Sequence, residues 1–571
     1  MTDLSHPLRS DAAQAPRSAA TRSDRLWTLA GVIVAALTLL PVLSLALLAA
    51  QPTGDVWTHL VGTVLPRSLW TTFLLMAGVG ALTLTLGVGT AWLVTMCRFP
   101  GRAFFDWALL VPLAVPTYII AYTYVEILDY TGPVQSAIRA IFGFTTSRDY
   151  WFPEVRSLGG AIFVMGFVLY PYVYLTTRAS FLLQSACALD VSRTLGAGPM
   201  RLFFRVALPL ARPAIVVGVS LALMECLNDI GAVTFFGVQT MTFSVYDTWI
   251  NRSSLAGASQ LAVAMLALVF ALLWIERHAR RRQRFHVTSS RYQALPGYRL
   301  GGARALGAMI ACAVPILVGF VFPAMLLADY ASRRLDELTS PALVSAMTNT
   351  LTLSVIASLM TVVIAIVLVF AQRVRHNALT RVCGRIAAIG YAIPGTVLAV
   401  GILIPLARFD NMVDAFARST FGVSTGLLLV GTGTALVYAY MVRFLAVAHG
   451  QIEGGLGKVT PHLDMAARTL GRTSGKVLWE VHVPMIRPVL LTALLLAFVD
   501  CMKELPATIL LRPFNFETLA TTVYNAASRE AFGDGALPAL VIVLVGLVPA
   551  ILLARTSARS FRDRGSARQA G

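Results

Sequence analysis

The chain has 571 residues, 57% of them hydrophobic and only 13% charged, with a mean hydropathy of +0.72. A water-soluble protein of 61.4 kDa needs a far more charged surface, which excludes both a large soluble enzyme and a disordered chain. The formal charge is +18, but the basic residues punctuate apolar runs instead of gathering on polar domains. That pattern points to a polytopic membrane protein and away from a nucleic-acid partner.

A bilayer core of about 30 Å takes roughly 20 apolar residues per helix. Runs of that kind fall at 27–50, 69–97, 107–127, 158–177, 213–233 and 256–275, and again at 306–328, 350–371, 386–406, 427–442, 488–508 and 537–554. The expectation is an all-α polytopic membrane protein with twelve transmembrane helices. Of the 46 Lys and Arg residues, 34 fall on the segments that share a side with the N-terminus, leaving 12 on the other. By the positive-inside rule both termini face the cytoplasm. The cluster Arg277, Arg280, Arg281, Arg282 and Arg284 just after the sixth run reads as a topology anchor against anionic lipid. Residues 1–26 read as a disordered cytoplasmic tail, and the first run, too long for a cleaved signal segment, as an uncleaved anchor. The six cysteines have no metal-site spacing and are expected as reduced thiols.

The two halves repeat. Asp190 to Gly196 followed by Val206-Ala-Leu-Pro209 matches Met465 to Gly471 followed by Val481-His-Val-Pro484, at an offset of 275 residues. The same offset carries Arg212 to Arg487, Pro213 to Pro488, Glu225 to Asp500, Cys226 to Cys501 and Asp229 to Glu504, and Pro116 matches Pro394 at 278. Six spans separate equivalent positions, so the repeats run parallel about an axis along the membrane normal. The expected layout is a tail (1–26), a first six-helix domain (27–275), a basic cytoplasmic linker (276–305), a second six-helix domain (306–554) and a cytoplasmic tail (555–571).

The repeated motif lies between spans four and five of each half, where a short helix, a glycine and a second amphipathic stretch make a rigid knob on the cytoplasmic side. Its spacing resembles the E-A-A, three residues, G, nine residues, I-x-L-P coupling loop of permease subunits in binding-protein-dependent ABC importers. Asp190, Gly196 and Pro209 fit it in the first half. Asp464, Met465, Ala466, Ala467, Gly471 and Pro484 fit it in the second, where the acid stands one residue early. The stretches from Asn228 and from Asp500 are similar to fused permeases of the ferric-iron uptake subgroup, with thiamine and aminoalkylphosphonate permeases as close relatives.

This resemblance implies the type I ABC importer permease fold in a bacterial inner membrane. It also implies two copies of a cytoplasmic ATP-binding subunit and a periplasmic substrate-binding protein that delivers the cargo, most simply ferric iron. ATP would be used by the partner subunit, with no cofactor bound by this chain. In keeping with that, Gly457-Lys458 and Gly475-Lys476 are each followed by Val and do not make a P-loop, and no catalytic constellation is visible. A rival class, an ion-coupled secondary transporter, also has parallel halves but leaves the duplicated loops unexplained.

Four acids fall inside expected spans. An ionisable group there costs about 2.5–3.5 kcal/mol on insertion scales, so Glu225, Asp229, Asp500 and Glu504 call for a reason. Spacing of i, i+4 puts each pair on one helix face. One reading is a ring of carboxylates around a water-filled pathway, tempered by Lys503, suited to a cation. The other is that Asp229 and Glu504, just before Gly231 and Pro506, cap backbone where the helix breaks. Cys226 and Cys501 read as packing residues. Pro112, Pro116, Pro394 and Pro405 mark kinks or broken helices.

Overall fold

The computed structural model describes residues 22–183, 198–281, 297–375 and 377–566. The start of the tail, Asp190, Gly196 and the middle of the linker lie outside the described residues. Among the described residues ten helices are long and apolar enough to cross a membrane, and counting each of two bent pairs as one span raises the number to twelve. In the first half the spans are Arg22–Ala49, Asp55–Met96, the bent pair beginning at Arg102 and Thr117, Leu158–Leu183, Pro199–Asn228 and Leu255–Arg281. In the second they are Gly302–Ser332, Pro341–Val374, Gly395–Phe421, Gly433–Leu456, the bent pair Ser474–Met485 and Arg487–Met502, and Phe532–Ser566.

Several boundaries move outward from the sequence reading. The first helix begins at Arg22 and the last runs to Ser566. The sixth and seventh helices take in both ends of the expected linker, because good helix formers continue past the apolar run and charge does not stop a helix that has left the bilayer. All-α needs one small amendment. Cys97–Arg98 pairs in parallel with Tyr298–Arg299, tying the turn after the second span to the segment before the seventh.

One face of the first span exposes Leu26, Leu29, Ile33, Leu37 and Leu40, a stripe that water would not tolerate and lipid tails accept. The opposite face docks on the other half of the chain. Trp27 meets Phe370 edge-on with ring centroids 4.9 Å apart, and Tyr438 donates to the Leu37 carbonyl at 2.6 Å. Gly401 is required there, because a Cβ would stand 2.3 Å from the Pro41 carbonyl oxygen. The seventh span returns the exchange. Tyr124 donates to the Val318 carbonyl at 2.8 Å, and Tyr330 reaches Glu126 at 2.5 Å. Each half therefore lends its first span to the other, and the halves share a core in which Tyr118, Val233, Leu505 and Val523 are all buried.

The repeat also governs the contacts. Met241 N donates to Thr72 Oγ1 at 2.9 Å, and Leu519 N to Thr350 Oγ1 at 2.8 Å, both pairs displaced by 278 residues. In each case the first amide of a short outer helix, left without an intrahelical partner, is satisfied by a threonine on a neighbouring span. Symmetry fails at the fifth and eleventh spans. Arg212-Pro213 lies within a continuous helix, whereas Arg487-Pro488 follows an 80° bend at Ile486.

Candidate functional site

Four chain breaks converge at the centre. Pro116 and Pro394 both adopt extended backbone (ψ near 140°), because proline has no N–H to carry a helix through, and helices restart at Thr117 and Gly395. The fifth span ends at Asn228 and resumes at Ile230. The eleventh ends at Met502, and a short turn of helix follows at Thr508–Leu511. These ends interrupt the apolar runs 213–233 and 488–508 where the capping reading of the sequence places a break. Asp229 and Glu504 stand at the breaks.

Both breakpoint acids cap freed backbone. Asp229 Oδ1 accepts from Ala232 N at 2.8 Å, and its other oxygen accepts from the Thr117 hydroxyl. Glu504 accepts from Ala507 N at 2.8 Å and Thr508 N at 3.0 Å. Arg443 Nη1 adds an ion pair to Glu504 Oε1 at 2.5 Å. The breaks of the two halves also meet each other, since Gly395 N donates to Asn228 Oδ1 at 2.8 Å. A Cβ on residue 395 would approach Arg443 Nη1 to 2.6 Å and Glu504 Oε1 to 2.9 Å, so only glycine fits beside the pair.

These groups surround a cavity of about 60 Å³. All four acids singled out from the sequence line it, together with Arg443, Lys503 and Tyr118. Lys503 Nζ lies 2.9 Å from Asp500 Oδ1. At roughly 10–15 Å³ of accessible volume per water, the space holds a few water molecules. The capping and lining roles coexist, because a carboxylate that spends one edge on backbone amides still presents its charge to the cavity. Cys226 and Cys501 are buried free thiols packed in the cores beside it.

Arg443 and Tyr118 escaped the sequence reading. Arg443 falls one residue beyond the expected end of the tenth run and so counts with the inner-loop cations, but the helix continues to Leu456 and the guanidinium is buried. The available signal was positional: Arg443 lies 275 residues after the apolar Val168, so a cation replaces an aliphatic residue within the repeat. Tyr118 gives no comparable signal, as it reads as one more aromatic in an apolar run.

On the face toward the N-terminal end of the first span, the segment expected from the sequence as the second coupling loop forms the helix Pro461–Thr469. Gly471 follows with φ +77°, the left-handed position that lets the amides of 471 and 472 turn back to the carbonyls of Arg468 and Ala467. Asp464, the acid displaced by one residue, turns inward. It pairs with Arg373 Nε at 2.8 Å and His482 Nε2 at 2.5 Å. Arg373 also donates to the carbonyls of Leu456 and Val459, so one guanidinium holds the end of the eighth span, the end of the tenth and the coupling helix together. Burial pushes the Asp464 carboxyl up, but the hydrogen bonds from Arg373 and His482 outweigh it and hold the group below the ordinary carboxylate range. Met465 and Leu470 are exposed, Ala467 is buried, and Pro484 lies in a short helical turn leading into the eleventh span. Pro209 opens the matching helix of the first half.

A helical membrane bundle with an internal repeat and a central polar cavity is the architecture of a transport permease. Residues 83–285 match the family described as the binding-protein-dependent transport system inner membrane component, so this stretch carries a transport-permease domain of that family. The chain resembles the ferric-iron uptake subgroup. The Fe(3+)-transport system permease protein FbpB 2 of Haemophilus influenzae is 24% identical over 84% of this chain and 88% of its own length. The molybdenum transport system permease protein ModB of Escherichia coli K12 is 28% identical over 37% of this chain and 96% of its own. A putative 2-aminoethylphosphonate transport system permease protein, PhnU of Salmonella paratyphi A, is 28% identical over 35% and 69% respectively.

Proposed function

We propose that this chain forms the gated pathway by which Fe³⁺, delivered by a substrate-binding protein, crosses the inner membrane. The observation that carries the choice of cargo is the charge of the central cavity, where four carboxylates face two cationic side chains. Such a lining attracts a hard cation, which prefers oxygen, and repels the oxyanions carried by molybdenum and sulfate systems. The length of the similarity to the Haemophilus influenzae permease supports the same reading.

In this reading both termini are cytoplasmic and two copies of an ATP-hydrolysing subunit sit beneath the permease. Each receives one coupling segment in a surface cleft. Asp190, Gly196 and Pro209 belong to the first segment and Asp464 to Gly471, with Pro484, to the second. Met465 and Leu470 give the second an apolar contact, and the Arg373 clamp passes its movement to the eighth and tenth spans. The breaks at Pro116, Asp229, Pro394 and Lys503 supply the points about which the cavity changes its access.

The test is uptake of radiolabelled Fe³⁺ in cells with the gene, without it and with it restored. Loss on deletion and recovery on complementation are expected. Unchanged uptake in a strain with no other iron importer rejects iron and brings thiamine and 2-aminoethylphosphonate forward as the next cargoes to assay.

A further inference from the structure

The two halves present equivalent acids to the cavity but not equivalent charge. In the second half, Asp500 is paired with Lys503 and Glu504 with Arg443, at 2.9 and 2.5 Å. At the repeat offset of 275, Lys503 corresponds to Asn228 and Arg443 to Val168, and both of these line the cavity as well. The first half thus keeps the acids and has lost both cations.

Asp229 is held by the Thr117 hydroxyl and the amides of Ala232 and Gly231, with no cation in contact, and among the described residues no hydrogen bond or close ion pair reaches Glu225, which feels Lys503 only at longer range. A further polar group on this wall stands idle. The hydroxyl of Tyr118, a side chain 4% exposed and facing the same cavity, has no hydrogen-bond partner. A buried hydroxyl without a partner is costly, and carboxylates with no cation in direct contact inside a membrane more so. A passing cation relieves both.

We propose that the first-half wall of the cavity, made of Glu225, Asp229 and the Tyr118 hydroxyl, is a one-sided transit site for a hard multivalent cation. The second-half wall, neutralised from within, frames the site without holding the ion. This rests on the reading of the chain as a cation importer. The grip is loose by construction, since among the described residues no three His, Cys, Asp or Glu side chains converge to chelate a metal. A conducting site needs that looseness, as an ion bound tightly enough to be stripped of water would not leave.

The repeat itself suggests the decisive variant. Asn228→Lys places beside Glu225 the cation that Lys503 places beside Asp500. Glu225→Gln removes the charge with almost no change of shape, Glu225→Asp restores it, and Lys503→Asn is the reciprocal change. Each full-length variant is assayed for radiolabelled Fe³⁺ uptake, with membrane level and co-purification of the ATP-binding subunit as controls for folding and assembly. Asn228→Lys and Glu225→Gln are each expected to lower uptake about tenfold or more, as loss of one charge contact in a low-dielectric site implies. Glu225→Asp and Lys503→Asn are expected to keep most of it. Normal uptake by both Glu225→Gln and Asn228→Lys overturns the site while leaving iron import intact. Equal damage from Lys503→Asn and Glu225→Gln overturns its one-sidedness. If deleting the whole chain leaves Fe³⁺ uptake unchanged, the cation reading fails and the site with it.

Discussion

Arg443 and Glu504 meet at 2.5 Å in the middle of the bundle, with side chains 8% and 0% exposed. Neither faces lipid, and Glu504 also satisfies the amides of Ala507 and Thr508 where the eleventh span breaks. Breaking a buried pair from one side leaves an uncompensated charge, typically at a cost of about 3–5 kcal/mol, while replacing both partners is much milder. Arg443→Met alone is therefore expected to lower the thermal unfolding midpoint of the detergent-solubilised chain by several degrees. Arg443→Met combined with Glu504→Gln is expected to recover much of the loss. A single variant as stable as the parent would show that Glu504 is not held as a charge.

Gly395 tests the same pair sterically. Its missing side chain leaves room for Arg443, Glu504 and Pro506, each of which a Cβ would approach to 2.9 Å or closer. Overpacking a tight site costs about 1–3 kcal/mol, so Gly395→Ala should destabilise the chain by that order. Gly475→Ala, at a helix start with open space around it, should be neutral. Measuring the two midpoints side by side separates local crowding from a general dislike of substitution.

The spans and the repeat were legible because their signals are additive: twenty apolar residues for each helix, and many matched positions at one offset. The breaks were legible in part. Pro116 and Pro394 lack the amide a helix needs, so their position could be read directly. At Asp229 and Glu504 the following Gly231 and Pro506 marked a possible break, but the same acids at i, i+4 also suited an unbroken face, and only their capture of the backbone amides ahead of them decides between the two. The exchange of first spans was invisible, since an apolar stripe says that a face is buried or in lipid but not which partner covers it. Arg443 was misplaced for a related reason. A charge looks like the end of a span, and only a partner on another helix, Glu504, allows the span to carry it inside.

The Asp464 clamp has a defined pH response. Its carboxyl is held below the ordinary range, so its contribution to stability is present above the unfolded value of about 3.9 and is lost only as pH falls through the lower native value. Hydrogen exchange of the helix Pro461–Thr469, corrected for intrinsic rates, should therefore lose the share of protection that Asp464 supplies only below about pH 4. In Arg373→Ala the main hydrogen bond opposing burial is gone, and that loss should begin at a higher pH. Asp464→Asn, which removes the titrating group, should abolish the step, and a parent with no loss below about pH 4 would show that Asp464 does not carry the anchor.

The exposed side of the same helix makes a separate prediction. Met465 and Leu470 are 53% and 81% exposed, while Ala467 packs inward, so the helix presents two large apolar groups to whatever covers it. Apolar anchors at the centre of a contact commonly cost about 2 kcal/mol or more when truncated or charged, whereas rim positions cost little. Leu470→Asp is expected to weaken co-purification of the ATP-binding subunit more than tenfold and to abolish transport-coupled ATP hydrolysis in the reconstituted complex. The folded permease should be unaffected, because the side chain touches little of its own chain. Met465→Glu, which places an acid at the motif's first position, should retain assembly, since Asp464 already supplies the inward anchor and the new carboxylate is free to face the partner. Pull-down and ATPase assays on the two variants decide the matter. If Leu470→Asp assembles normally, the apolar contact is not what holds the second coupling helix, and the burden of docking shifts to its basic residues Arg468 and Arg472.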